Sequence, residues 1–118
     1  MKIAISSQGT DLNATVDPRF GRARCFLVYD TETNEVALVD NASSANAMQG
    51  AGVQTAQVIA AKGVGAVLSG HVGPKAFTAL RAAGIDVYVG VAGTVRDAVE
   101  AFRAGQLTAA ATADVQGH

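Results

Sequence analysis

One stretch of the chain decides the fold class: Ala66-Val67-Leu68-Ser69-Gly70-His71-Val72-Gly73-Pro74-Lys75. It has the pattern of a short buried strand, a loop bracketed by two glycines, and the first turn of a helix. Pro74 suits the first helical position, because its missing N–H costs nothing there. Since a helix N-terminus directs free N–H groups outward, the loop is also a candidate anion site. His71 places the commonest side-chain metal ligand at its rim.

The composition indicates one small α/β domain. The chain has 118 residues, of which 49% are hydrophobic and only 5% aromatic, so its layers are built from small side chains that pack closely. This length is sufficient to bury a core without disulfides or a structural metal. The net charge of −1 gives no overall field that would attract nucleic acid or an acidic membrane, so neither is expected as a partner.

Cysteine usage and the hydropathy pattern favour a cytoplasmic protein. Cys25 is the single cysteine, which excludes an intrachain disulfide and a four-cysteine metal site. An unpaired cysteine fits a reducing compartment. The opening stretch Met1–Ser6 becomes polar too soon for a signal peptide, and no apolar run approaches the roughly 18 residues of a membrane span.

Hydrophobic periodicity predicts five strands and three helices in the order β-β-β-α-β-α-β-α. The strands are expected at Lys2–Ser6, Cys25–Asp30, Glu35–Asp40, Ala66–Ser69 and Ile85–Val89. The helices are expected at Gly52–Lys62, at Pro74–Ala83, and after a capping box of Thr94 and Asp97, the last one ending before Gly105. The small polar residues of Asn41–Gly52 indicate a flexible segment. Residues 1–105 form the predicted domain, and residues 106–118 are expected to be a loose C-terminal tail.

Right-handed crossovers leave few ways to assemble these elements. The expected architecture is a five-stranded mixed sheet of strand order 3-2-1-4-5 with helices on both faces, in which the first, fourth and fifth strands are parallel. Connections leave in opposite directions around the first and fourth strands, and ligands in open α/β sheets bind at such switch points. Four segments should therefore meet at one edge of the sheet: Ser6–Gly9, Phe20–Cys25, Ser69–Pro74 and Val89–Thr94.

Two residues at this edge are candidate metal ligands. His71 is either a metal or cluster ligand or a surface histidine chosen for loop geometry, and both interpretations stay open. Cys25 is either a soft thiolate ligand or a small buried hydrophobe, and its alternation with Leu27 and Tyr29 favours the second interpretation. One cysteine and one histidine cannot close a tetrahedral site on their own.

Arg19, Arg22 and Arg24 lie within six residues of chain. Arginine forks suit oxyanions and other diffuse anions, so this cluster predicts an anion-holding wall. The alternative is a solvated loop in which the arginines pair with Asp11 or Asp17. The patch is too small for nucleic acid, and the aromatic residues that would stack on bases are missing.

The sequence contains no catalytic constellation. Ser69–Gly73 has the outline of a nucleophile elbow, but histidine stands where the nucleophile should be. No phosphate-binding loop of the Walker type occurs, and Lys2–Ser6 lacks the carboxylates that a two-metal nuclease of this topology needs. The sequence thus argues against hydrolysis, and an enzyme that acts on a small phosphorylated metabolite is the weakest hypothesis.

Several motifs resemble the dinitrogenase iron–molybdenum cofactor biosynthesis family. They are Met1–Ser6, Asp17-Pro18-Arg19-Phe20-Gly21-Arg22, Phe26–Asp30, Gly50–Ala56, Gly70-His71-Val72-Gly73-Pro74-Lys75-Ala76-Phe77 and Ala82–Ile85. The resemblance extends without a gap to about residue 105. The length and motifs are similar to those of the small single-domain members, the orange-protein branch found in sulfate-reducing bacteria.

The resemblance implies a ribonuclease-H-like fold without nuclease activity. It also implies non-catalytic binding, carrying or assembly of a metal–sulfur cluster. The implied cargo is a molybdenum–copper sulfide anion held without covalent attachment, and an iron–sulfur or iron–molybdenum cofactor precursor is the alternative. The implied partners are the proteins that donate the cluster and accept it.

Such a cluster is large, soft and negative, so it needs diffuse positive potential and N–H groups more than a rigid set of ligands. The residues expected to supply them are Ser7, Gln8, Arg19, Arg22, Arg24, Gly70, Val72, Gly73, Gly90 and Gly93, with His71 as the first candidate metal ligand and Cys25 as the second. The competing hypothesis is a metal-free protein-interaction or regulatory module that uses the same loops.

Overall fold

The computed structural model describes residues 1–111. Its strands are β1 (Lys2–Ser7), β2 (Cys25–Asp30), β3 (Val36–Asp40), β4 (Ala66–Leu68) and β5 (Asp86–Tyr88). Its helices are α1 (Ala42–Ala45), α2 (Ala51–Ala60), α3 (Pro74–Ala82) and α4 (Val95–Arg103). The element order is therefore the predicted one, with a one-turn helix added before α2.

The strands form one mixed sheet in the order β3-β2-β1-β4-β5, which confirms the predicted topology. β1 pairs antiparallel with β2 and parallel with β4. β3 adds antiparallel to β2, and β5 adds parallel to β4. Ser7, at the end of β1, lies opposite Cys25, at the start of β2. The carboxyl ends of the parallel strands and the start of β2 thus share one edge, as expected.

Helices cover both faces of the sheet, and successive side chains of its central strand β1 point into different cores. In β1, Ala4 belongs to the core beneath α2 and α3, whereas Ile3 and Ile5 belong to the core beneath α4. α3 follows β4 directly, and α2 runs back towards the start of β4. The N-termini of α2 and α3 therefore lie on the same face, at the shared edge.

The segment predicted to be flexible, Asn41–Gly52, contains α1, which the sequence did not predict. A one-turn helix gains little from propensity, so tertiary contacts must hold it. Asn41, which precedes it, is buried, and its side-chain amide donates to the carbonyl oxygen of Ala23 at 2.9 Å. The sequence analysis missed α1 because the sequence of the segment alone does not show these contacts.

The predicted capping box of α4 is present. The Thr94 hydroxyl oxygen accepts a hydrogen bond from the N–H of Asp97 at 3.1 Å, and the Asp97 carboxylate accepts one from the N–H of Thr94 at 3.2 Å. Further along, Ala110 donates its N–H to the carbonyl oxygen of Val87 on β5 at 2.7 Å. Residues 112–118 of the predicted tail lie outside the described residues. No helix within residues 1–111 is long and apolar enough to cross a membrane.

Candidate functional site

A cleft of about 530 Å³ opens where the loop before β2 meets the first turns of α2 and α3. We call it the helix-terminus cleft. Its lining consists of Gly21, Arg22, Gly50, Ala51, Gly52, Val53, Gly73, Pro74, Lys75 and Ala76. The charged side chains in this set are both cationic, and no carboxylate is among the lining residues. The cleft therefore has the electrostatic character of an anion site.

A second cleft, of about 130 Å³, lies beside β2 and β3. It is lined by one cation, Lys2, and by the two carboxylates Asp30 and Glu35, together with small apolar side chains. No helix begins there. Its smaller volume and its acidic character make it a poorer candidate for the anionic cargo that the sequence suggested.

Both helices that begin at the helix-terminus cleft lack a side-chain cap. The N-cap of α2 is Gly50 and that of α3 is Gly73, and neither helix has an acidic residue in its first turn. α4 differs, because Thr94 and Asp97 cap it. The first N–H groups of a helix have no intrahelical acceptor and carry a partial positive charge. Two such N-termini, free of side-chain acceptors, can bind one anion between them.

Close backbone contacts bring these elements together. A Cβ atom on Gly21 would lie 2.7 Å from the Cα atom of Gly52, which is closer than real side chains come. A Cβ atom on Gly52 would in turn lie 3.2 Å from the Cβ of Ala76. Glycine at position 21 is therefore required for the loop to approach α2, and a side chain at position 52 would require Ala76 of α3 to shift by a few tenths of an ångström.

Arg22 and Asn41 connect the cleft to residues 42–49, which we call the strap. The Arg22 Nη1 atom donates to the carbonyl oxygens of Ala45 at 2.8 Å and Ala47 at 2.7 Å. At the other end of the strap, the Thr55 hydroxyl of α2 donates to the Asn41 side-chain oxygen at 3.2 Å. The strap is thus attached at both ends beside the cleft.

The loops after β1 and β4 are joined next to the cleft. His71 donates its N–H to the carbonyl oxygen of Pro18 at 2.7 Å, and the N–H of Phe20 donates to the carbonyl oxygen of His71 at 3.1 Å. This ladder places His71 next to Arg19, and both side chains are exposed. The Arg19 guanidinium forms an ion pair with the buried carboxylate of Asp17 at 3.4 Å. Arg19 therefore follows the pairing that the sequence analysis gave as the alternative.

A buried hydroxyl pair fixes the ends of β1 and β4. The hydroxyl of Ser6 donates to the carbonyl oxygen of Asp17 at 2.7 Å and lies 2.9 Å from the hydroxyl oxygen of Ser69. Because one hydroxyl carries one proton, Ser69 is the donor in the second bond. Polar groups buried at the switch point thus have partners, so this pair is structural.

Cys25 is buried next to the loop after β1 and is not among the residues that line the cleft. Its Sγ atom donates to the carbonyl oxygens of Gly9 at 3.1 Å and Ser7 at 3.5 Å. Burial raises the pKa of the Cys25 thiol above its usual value, although the nearby side chain of Ser7 opposes this rise. A protonated thiol that donates to carbonyls is a structural group, and the structure thus favours the interpretation as a buried hydrophobe.

The residues predicted for the site fall into separate groups. Arg22 and Gly73 line the cleft. Arg19, Gly70 and His71 belong to the joined loops, and Gly70 also accepts a hydrogen bond from the N–H of Gly90 at 2.8 Å. The remaining ones do not line the cleft. Val72 is in the core, and Arg24 is exposed. Ser7 ends β1 and Gln8 follows it, and Gly93 accepts a hydrogen bond from the N–H of Val16.

The sequence analysis missed residues 50–53 and 74–76 as parts of the site. Residues 50–52 lay in the segment expected to be flexible, and Val53 lay on the apolar face of the predicted helix. The helix start at Pro74 was a candidate anion site, but residues 74–76 were not among the predicted site residues. A signal was present: both helices begin after a glycine, where Ser, Thr, Asp or Asn would be usual. Helix N-termini without side-chain caps are available to a ligand.

The described part of the chain contains no group of three or more His, Cys, Asp or Glu residues that could hold a bare metal ion. The donors at the cleft are N–H groups and cations instead. Such a set fits the outer sulfide atoms of an anionic cluster, which brings its own ligands to the metals.

Solved structures share this fold. The apo form of the orange protein from Desulfovibrio gigas is 48% identical in sequence, with a TM-score of 0.94, and the match covers 97% of this chain and 96% of that one. A putative NifB protein from Thermotoga is 39% identical, with a TM-score of 0.85, and the match covers 98% of both chains.

Two further comparisons concern the sequence. The uncharacterized protein MJ0580 of Methanocaldococcus jannaschii is 32% identical over 110 residues, which are 91% of this chain and 89% of that protein. The family model described as dinitrogenase iron-molybdenum cofactor matches residues 1–105.

Proposed function

The chain belongs to the dinitrogenase iron-molybdenum cofactor family, and we propose that it is a non-catalytic cytoplasmic carrier of an anionic metal–sulfur cluster. The cluster is the cargo, and the helix-terminus cleft is the proposed place where it binds. The observation that carries the proposal is the convergence of two uncapped helix N-termini with Arg22 and Lys75 on one cleft.

The chemistry of the cleft suits transient binding. A metal–sulfide anion spreads its negative charge over several sulfur atoms, so it gains from many weak donors distributed around it. Backbone N–H groups at two helix N-termini provide such donors, and the two cations add diffuse positive potential. Because no covalent bond to the protein is required, the carrier releases its cargo to an acceptor protein without chemistry of its own.

We propose a molybdenum–copper sulfide as the cargo. The support for this choice is the likeness to the orange protein, at 48% identity over nearly the whole of both chains. An iron–sulfur or iron–molybdenum cofactor precursor is the second candidate, and the family description and the putative NifB relative favour it. Cluster donor and acceptor proteins are the proposed partners in either case.

The test is loading of the purified protein under anaerobic conditions with tetrathiomolybdate and copper(I), and in parallel with an iron–sulfur cluster donor. After gel filtration, the visible spectrum and the metal content of the protein fraction are measured. Retained colour and stoichiometric metal are expected in one of the two experiments. Colourless, metal-free protein in both would contradict the carrier and favour the metal-free interaction module.

A matched pair of charge reversals tests the location of the site. Lys75→Glu places a carboxylate in the cleft, whereas Lys62→Glu makes the same charge change at an exposed position after α2. We expect Lys75→Glu to weaken tetrathiomolybdate binding by about tenfold or more, since it replaces an attraction by a repulsion. Lys62→Glu should bind like the wild type. Equal weakening in both variants would show that only net charge matters.

His71 is the proposed side-chain ligand, because it lies two residues before Gly73 and beside Arg19. Imidazole suits copper, whereas molybdenum in the cargo already has its sulfide ligands. His71→Ala should therefore lower the copper content of the loaded protein and leave its molybdenum content unchanged. Full retention of both metals would remove the ligand role and leave the carrier proposal intact.

A further inference from the structure

Arg22 occupies a position between the cleft and the strap. It is part of the cleft lining, yet its Nη1 atom donates to the carbonyl oxygens of Ala45 and Ala47 in the strap. Ala45 is the last residue of α1, and carbonyls at a helix C-terminus have no intrahelical donors. The Arg22 guanidinium therefore donates to the carbonyls at the end of α1 and just beyond it, while the residue forms part of the cleft wall.

The remaining donors of this guanidinium are available. A guanidinium has five N–H groups, of which Nη1 holds two. The two bonds to the strap match these two groups, and Nε and Nη2 make no hydrogen bond within the described residues 1–111. The Nε and Nη2 groups of an arginine can donate two parallel hydrogen bonds to one anion. The strap and an anion can thus be held by the same side chain at the same time.

The strap depends on Arg22 at one end only. At the other end, the buried side chain of Asn41 is bonded to Ala23 and to Thr55 of α2 and makes no hydrogen bond with Arg22. Any effect of an anion that acts through Arg22 must therefore be concentrated near Ala45–Ala47.

We propose that Arg22 is a positioning residue that couples anion binding in the cleft to the order of the strap. An anion on the Nε–Nη2 side fixes the guanidinium, and the fixed guanidinium holds the carbonyls of Ala45 and Ala47. By linkage, an ordered strap raises the affinity for the anion by the same factor. This inference rests on the proposed function, because it takes the same cleft as the binding site.

Lysine and arginine differ in this role. An ammonium group is a compact point charge, whereas the guanidinium fork has two separate sides. Arg22→Lys keeps the positive charge at the cleft but cannot hold the strap and the anion together. The substitution therefore separates the contribution of charge from that of bridging.

The experiment measures amide hydrogen exchange by NMR with and without saturating tetrathiomolybdate. The reporting amides are those of Ala45, Asn46 and Ala47, which donate to the carbonyls of Asn41, Ala42 and Ser44. In the wild type, the anion should slow their exchange by about fivefold or more. Arg22→Lys should bind the anion about tenfold more weakly and show no slowing at saturation. Arg96→Lys, on α4, serves as the matched control and should respond like the wild type.

The outcomes separate the two proposals. If the wild type binds tetrathiomolybdate and the three amides exchange at an unchanged or faster rate, the coupling is wrong and the carrier stands. Equal slowing in Arg22→Lys would also overturn the coupling. If the wild type binds neither tetrathiomolybdate nor any cluster, the carrier proposal fails and the coupling fails with it.

A second variant tests the contact without any ligand. In the ligand-free protein, the same three amides should exchange faster in Arg22→Ala than in the wild type. Equal rates would show that Nη1 does not hold the strap.

Discussion

Gly21 and Gly52 are in direct backbone contact: a Cβ atom on Gly21 would lie 2.7 Å from the Cα and 2.8 Å from the nitrogen of Gly52. The loop before β2 therefore rests on the first turn of α2 with no side chain between them. Since Gly52 in turn approaches Ala76 of α3, this contact contributes to the width of the helix-terminus cleft.

Gly21→Ala is expected to lower the free energy of unfolding by about 3 kcal/mol, because the added methyl group meets backbone that cannot yield as a flexible side chain would. Urea denaturation followed by circular dichroism measures the loss. Gly84→Ala is the control: its Cβ meets nothing within 4 Å, although its φ of +78° is left-handed. That variant should lose only about 1 kcal/mol. Equal losses would show that the contact with Gly52 is not tight.

Asn41→Ala tests how firmly the strap is attached. Truncation leaves the carbonyl of Ala23 without its buried donor, while the hydroxyl of Thr55 keeps only the carbonyl of Gly21 as a partner. This loss should cost about 2 kcal/mol of unfolding free energy. Asn46→Ala, at an exposed position in the strap, should change it by less than about 0.5 kcal/mol. Chemical denaturation of both variants supplies the comparison, and a neutral Asn41→Ala would mean that the buried network is dispensable.

Gly73→Asp should stabilise the protein while impairing anion binding. The N-cap of α3 has φ −68° and ψ 166°, which any residue adopts, and a Cβ there meets nothing within 4 Å. An aspartate cap should add about 0.5 kcal/mol of stability through the helix N-terminus. Its carboxylate would then occupy the N–H groups proposed for the cargo. The midpoint temperature of thermal unfolding should therefore rise, while the affinity for tetrathiomolybdate measured by titration should fall.

Gly73→Asn separates the charge of that cap from its hydrogen bonds. The neutral amide caps the helix without adding negative charge, so its effect on tetrathiomolybdate affinity should lie between those of the wild type and Gly73→Asp. Unchanged affinity in Gly73→Asp would place the anion elsewhere.

Cys25 should react slowly with iodoacetamide in the native protein at neutral pH and rapidly in urea. The thiol is only 4% exposed, it donates to the carbonyl of Gly9, and burial raises its pKa. Because the thiolate is the reactive form, mass spectrometry of the alkylated protein reports this protection.

Cys25→Ala should load the cluster like the wild type, because the thiol is not a proposed ligand. A variant that stays colourless after loading while its stability is intact would show that the thiol is a ligand.

The same thiol makes stability depend on alkaline pH. A group whose pKa is higher in the folded than in the unfolded state contributes stability that is complete below the unfolded pKa, about 8.5 for cysteine. That contribution is lost as the pH rises through the folded pKa, which is raised here. The free energy of unfolding of the wild type, measured by chemical denaturation, should therefore fall above about pH 8.5 relative to that of Cys25→Ala. Parallel pH profiles would show that the thiol is not perturbed.

The features that the sequence predicts correctly are those set by neighbouring residues or by chain handedness. The capping box joins Thr94 and Asp97, which are three residues apart, so it is visible in the sequence. The strand order follows from the alternation of strands and helices and from right-handed crossovers.

The features that it does not predict depend on long-range contacts. α1 is held by Arg22, whose partners Ala45 and Ala47 are more than 20 residues away in the chain. The sequence predicted Arg22 as part of an anion-holding wall, and the structure places it in the lining of the cleft. The sequence of a long flexible side chain does not show where its guanidinium is bonded. The contact of Gly21 with Gly52 is hidden for the same reason, because a glycine shows backbone freedom and not the neighbour that requires it.

The proposed recognition of the cargo through the main chain has a consequence for how this protein tolerates mutation. Every residue except proline carries the same amide N–H, so replacement of the side chains of Ala51 or Val53 leaves those donors chemically unchanged. What the cleft cannot tolerate is displacement of its backbone or the arrival of negative charge. A saturation mutagenesis scan should therefore find Val53 permissive, whereas at Gly52 and at the buried Ala51 bulk rather than chemistry is selected against.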